Sequence, residues 1–230
     1  MSIRIARFAG YIAVAAGLAL PGATLGAQAA AQAIMVAPFN VHEARRDSRD
    51  FDGIGTAIAD LLAADLRAGG AAVVDRAPTQ RTVALQPRVR DGMLGRQGAV
   101  EAAKVVNAAH VVYGGFTADA AGNVRLDARA VNVGTGQVEF TERLQGRGDD
   151  VVGMLQQLAS RLAAGMSVSL SGGAVQGAPV PLRSLIDYGK GLEAADRGDR
   201  AQARQLLQSV VRDHPNFAPA KAALAAIGER

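Results

Sequence analysis

The residues predict an α/β fold of the α+β kind. It is a mixed sheet in β-α-β-α-β-β-β-α order, with helices mainly on one face, followed by a small all-α hairpin and a capping helix. Three observations carry this. Ile34-Met35-Val36-Ala37-Pro38-Phe39 is apolar throughout, as a strand buried on both faces is. Val124 to Leu144 alternates apolar and polar residues around a turn at Gly134–Gly136, as a meander with one wet face does. Leu182 onward has helical spacing to the end of the chain.

The elements follow in order. Pro38 has no N–H to give a ladder, so it belongs at a strand end or on an edge. Val41 to Asp52 is polar and reads as a loop, with Asp50 or Asp52 as the cap of the next helix. Ile54, Ile58, Leu61, Leu62 and Leu66 share one helical face, and Gly69-Gly70 ends that helix. Ala71 to Asp75 supplies a second strand, and residues 76–97 read as a long loop. A helix over Gln97 to Ala109 turns Val100, Ala103, Val106 and Ala109 inward. His110 to Thr117, the Val124–Ala130 alternation and the Val138–Leu144 alternation make three strands, joined by turns at Asp119–Asn123 and Gly134–Gly136. A helix from Asp149 or Asp150 carries Val151, Leu155, Leu158, Leu162 and Met166 on one side.

The expected organisation is a leader over 1–29, the α/β domain over 33–167, a linker over 168–181 and a helical segment over 182–230. The linker is rich in Gly, Ser, Pro and Ala and uncharged, which favours flexibility. In the leader, Arg4 and Arg7 precede 13 apolar residues, Phe8 to Leu20. Pro21-Gly22 then breaks any helix, and Ala27-Gln28-Ala29 has the small residues a signal peptidase accepts. Cleavage is expected after Ala27 or Ala29, leaving no membrane span.

Composition narrows function. Losing Arg4 and Arg7 leaves 23 basic against 21 acidic side chains, a net +2, and the arginines are scattered among acids. Nucleic-acid binding needs a clustered basic face, so it is not expected. The absence of Cys removes disulfides, thiol catalysis, Cys-ligated zinc and a lipidated N-terminus. His42, His110 and His214 lie far apart in sequence. Asp47, Asp50 and Asp52 are interleaved with Arg45, Arg46 and Arg49, which neutralise them as a cation site. Gly53-Ile54-Gly55 does not continue into a dinucleotide fingerprint, and Ser167, Ser169 and Ser171 lack a nucleophile elbow.

Two resemblances add to this. Met35 to Phe39, the Gly55-to-Leu66 helix, Val73-Val74-Asp75-Arg76, Ala109 to Gly115 and Val133 to Val138 resemble, in order and spacing, the amino-terminal domain of TolB and the related CsgG and FlgO groups. The resemblance spans about residues 34–166. It implies an envelope protein that binds other proteins and has no catalytic residue in these motifs. Within these residues no β-propeller follows, no lipidation Cys is present, and 76–97 lacks the alternating hairpins of a pore.

In the tail, Tyr188, Gly191, Gly198-Asp199, Ala203, Leu207 and Pro215 resemble a tetratricopeptide (TPR) repeat, with Asp187 where its first aromatic belongs. Asn216 to Gly228 adds a third helix. One repeat and a half is too short to hide its apolar face, which must be covered by the α/β domain, a second copy or another protein. In this repeat class the first helix lines the concave surface, so the resemblance implies Tyr188, Leu192 and Ala195 as partner-binding residues. The alternative is that all three are core.

The chain is therefore expected to be periplasmic or outer-membrane associated, without enzymatic activity, cofactor or metal. Other envelope proteins are its expected partners, through the TPR-like segment and the α/β domain, and a homo-oligomer is open. The alternatives are a subunit of an oligomeric outer-membrane assembly, a ligand-binding protein and a hydrolase.

Overall fold

The computed structural model describes residues 33–43, 51–86, 94–168, 170 and 179–228. The leader with Ala27 and Ala29, the acidic residues Asp47 and Asp50, and linker positions 169 and 171–178 lie outside the described residues.

The chain runs through β1 (Ile34–Val36), β2 (Asn40–Glu43), α1 (Ile54–Ala68), α2 (Arg76–Ala84) and α3 (Arg96–Val105). Then come β3 (His110–Ala118), β4 (Asn123–Asn132), β5 (Val138–Arg147) and α4 (Val151–Gly165). α5 (Leu182–Asp196), α6 (Arg200–Asp213) and α7 (Ala218–Gly228) complete it. The fold is mixed α/β, and the sheet is mixed as predicted. β1 and β2 both pair with β3 in parallel, while β3, β4 and β5 form the antiparallel meander. Pro38 sits in the break between β1 and β2, on the sheet edge, where a missing N–H costs no ladder bond.

Two cores sandwich the sheet. On one face Ile34, Val36, Val112, Leu126, Ala128 and Ala130 meet Ile54, Ile58, Leu62 and Leu66 of α1 and Leu155, Leu158 and Leu162 of α4. On the other, Met35, Val111, Tyr113 and Val131 meet Val83 of α2 and Ala99, Ala102 and Ala103 of α3. Helices thus cover both faces, which corrects the one-sided expectation. The uninterrupted apolar run of β1 is the reason: side chains point alternately up and down a strand, so both sides need cover.

Other expectations are corrected as well, the strands because pairing with distant residues overrides local pattern. The loop expected from Val41 contains β2, and His42 lies within it, opposite Thr117. The strand expected at Ala71 to Asp75 shrinks to one parallel bridge, Val73 against Ile34. The loop expected over 76–97 holds α2, which buries only Thr79, Thr82 and Val83 and was too polar to show a helical stripe. α3 turns Ala99, Ala102 and Ala103 inward, and of the expected Val100, Ala103, Val106 and Ala109 only Ala103 is fully buried. α1 is capped by Gly53 in the left-handed region at φ 86°, with no side-chain cap from Asp52.

The tail forms a helical hairpin with a third helix. Gly198 turns the chain at φ 82°, and the Asp199 side chain accepts the Gln202 N–H at 3.0 Å, capping α6. Gly191 faces Leu207, whose side chain would stand 2.9 Å from an added Cβ, so the two helices lie close. The hairpin does not stand alone. Leu185, Ile186, Tyr188, Leu192, Leu207, Val210 and Phe217 join the same core as α1 and α4. The described ends of the expected linker are packed too: Val180 is buried and Leu170 lies against Gly69. No helix among the described residues is long and apolar enough to cross a membrane.

Candidate functional site

The seam between the tail and the α/β layer is built on a pair of glycines. A Cβ on Gly189 would lie 1.9 Å from the Gly53 carbonyl oxygen, and one on Gly53 would lie 2.4 Å from the Lys190 nitrogen. Backbone meets backbone there, so α5 crosses the start of α1 at a distance no other residue pair permits.

This crossing decides where the expected partner residues go. Tyr188 and Leu192 are each 1% exposed, and Ala195 borders a cavity of about 200 Å³ among α5, α6 and α7. The Tyr188 hydroxyl donates to Asp60 Oδ2 at 2.6 Å, and its ring stands edge-on to Phe217 at 5.3 Å. Tyr188 thus meets Asp60 of α1 and Phe217 rather than a concave outer surface, and Leu192 is buried in the same core. The physical reason is the one anticipated from length: a hairpin this short cannot hide its apolar stripe, and α1 supplies the cover.

Around that contact lies a polar network no local motif announces. The Arg76 guanidinium stands 3.6 Å from Asp60, pairs with Asp196 and donates to the Leu192 carbonyl at 3.2 Å. The Thr56 hydroxyl donates to Glu193 at 2.9 Å. Burial pushes the Glu193 carboxyl above the ordinary glutamate range, against the pull of that hydrogen bond. Burial raises Asp196 as well, outweighing the neighbouring Arg76. Tyr188 is pushed well above the ordinary phenol value by burial first and by the Asp60 charge second.

A raised carboxyl binds its proton more tightly in the fold than in the unfolded chain. Stability is therefore lost as pH rises through the mildly acidic window between the ordinary and the raised value. Glu193→Gln keeps an acceptor for Thr56 and removes the buried charge. The variant is expected to melt higher than wild type at pH 7, with the difference vanishing at acidic pH. Thermal melts across that range check it, and parallel profiles for the two proteins refute it.

Beside this network opens a groove of about 700 Å³. One wall is the sheet edge from Pro38 to Val41, and the floor is Phe51 and the start of α1. The opposite wall is Lys190 and Glu193 of α5, Arg197 at its C-terminal cap, and Gln202 and Leu206 of α6. Most of its polar groups are already committed. Asn40 donates to the Leu94 carbonyl at 3.1 Å and accepts from its N–H at 2.8 Å. Thr56 is only 5% exposed, so its hydroxyl is presented to Glu193 and not to the groove. Asp52, expected as a cap, lies on the groove rim. Sequence reading missed this site because its walls lie about 150 residues apart; the run ending in Phe39 was its one visible trace.

The histidines go to separate places. His110 pairs through Nε2 with Glu139 at 3.0 Å, at the opposite end of β3 from His42, and His214 Nε2 lies 2.8 Å from the Ser184 hydroxyl. Asp127 of β4, between Arg125 and Arg143, is pushed up by burial but held below the ordinary range overall by the Arg143 hydrogen bond and the Arg125 and Arg143 charges.

No family model matches the chain, and no curated protein matches it. Solved structures overlay parts of it. The LpoB C-terminal domain from Salmonella enterica shares 16% identity over 51% of this chain and 83% of its own, with a TM-score of 0.38. TolB from Acinetobacter baumannii shares 12% over 60% of this chain and 28% of its own, with a TM-score of 0.40. Lipoprotein GNA1162 from Neisseria meningitidis shares 17% over 57% of this chain and 96% of its own, also at 0.40. Overlap this loose leaves function to the chain's own residues.

Proposed function

We propose that this chain is an exported cell-envelope protein that works without catalysis, as an adaptor gripping a segment of another protein in the seam groove. The observation that carries the reading is the groove itself. It is open, large enough for several side chains, and lined by apolar residues and by polar groups already bonded to one another. Such a lining favours a shape-complementary partner over a reaction. The leader read in the sequence supplies the export. The TPR-like hairpin contributes one wall of the groove, with Lys190, Glu193 and Arg197 as its contact residues in place of the buried Tyr188 and Leu192.

A photocrosslinking residue at Arg197, in intact envelopes, tests this. The expected result is a discrete adduct with one other protein, absent when the same probe replaces the exposed Lys104 of α3. Adducts between copies of the chain would replace the adaptor by a homo-oligomeric assembly, and the same adducts from both positions, or none, would overturn the reading. Deleting 182–230 is a poorer test, because it strips the cover from α1.

A further inference from the structure

The two halves of the β1–β2 edge are treated differently. At β1, the Ile34 N–H donates to the Ala72 carbonyl at 2.8 Å and the Val74 N–H donates to the Ile34 carbonyl at 2.9 Å. Residues 72–74 thus add one bridge of parallel strand there and then leave. In the break, the Phe39 N–H is taken by the Gly55 carbonyl at 3.1 Å. At β2 this cover stops. The strand pairs with β3 on one side, and among the described residues its other side has no backbone partner. Every second residue of a strand points its N–H and C=O away from the paired neighbour. An edge left in that state is a template for another strand.

That open edge runs along the groove, since Asn40 and Val41 line it. We infer that the groove takes an extended peptide segment of a partner protein, which adds to the free edge of β2 as a further strand. This rests on the adaptor reading above and specifies how the partner is held. A strand laid there continues along the edge on which residues 72–74 already pair. Its side chains alternate between two environments. Those on the side of Val41 meet Phe51 and Leu206, and those on the side of Asn40 meet Leu94 and Val83. The segment recognised therefore carries apolar side chains on both of its faces, and its main chain supplies the hydrogen bonds.

The test selects heptapeptides from a random displayed library on the full chain, then methylates the backbone nitrogens of a selected peptide one at a time. Methylation at alternate positions is expected to weaken binding about fivefold to tenfold, the worth of a lost hydrogen bond, with the intervening positions nearly unaffected. Binding should also slow amide exchange in residues 40–42. Leu206→Trp, or Gln202→Trp should the first fail to fold, fills the groove and should abolish binding. A peptide blocked by the tryptophan but insensitive to alternate methylation overturns strand addition and leaves the groove reading standing. No enriched peptide, or peptides indifferent to the tryptophan, overturns both.

Discussion

Replacing Gly189 with alanine is expected to loosen the tail from the α/β layer and to cost about 3 kcal/mol, at the upper end of overpacking in a tight contact. The new Cβ would stand 1.9 Å from the Gly53 carbonyl oxygen and 2.5 Å from its carbon. Neither atom is the far end of a side chain that swings away. Relief requires α5 to shift from α1, and that shift breaks the Tyr188–Asp60 and Thr56–Glu193 hydrogen bonds along the same seam. Melting should fall by roughly 6–12 °C for a chain of this size. Gly228→Ala is the control: nothing lies within 4 Å of its Cβ, so it should leave the melt unchanged or slightly raised. A Gly189→Ala protein melting within a degree of wild type would mean that the helices do not cross where they are placed.

Tyr188→Ala should cost about 3–5 kcal/mol, as truncation of a fully buried aromatic does, while Tyr188→Phe should cost about 1.5–3 kcal/mol, the worth of a hydrogen bond to a carboxylate. The ring fills the space between α1 and Phe217, and the hydroxyl reaches Asp60, which Arg76 also approaches. Denaturant unfolding of the two variants separates ring from hydroxyl. A partner-facing tyrosine would behave in the opposite way, losing binding while the protein melts as before. Finding Tyr188→Ala as stable as wild type would return Tyr188 to the role of an outward contact.

The Tyr188 case also shows how the sequence reading succeeded and where it stopped. Tyr188, Gly191, Gly198-Asp199, Ala203, Leu207 and Pro215 are spaced as in a helical hairpin, and α5 and α6 form one that turns at Gly198. Its shortness signalled that the apolar stripe needed a cover. Nothing local named the cover, because Gly53 and Asp60 are more than a hundred residues away and have their own local explanations as a turn glycine and a wheel-face acid. The groove was hidden for the same reason.

Taken alone, the residues determined the buried strand at Ile34–Val36, the apolar face of α1, the meander and the tail hairpin. Each is either an unbroken apolar run or a pattern that repeats every two or every three to four residues, complete within its own segment. Tertiary structure alone decided that β2 pairs with β3, that Arg76 starts a helix whose guanidinium reaches Asp60 and Asp196, that the tail covers α1, and that a groove opens at their seam. Those outcomes depend on which surfaces meet across long stretches of chain, and local periodicity records that a surface is apolar without recording what it faces.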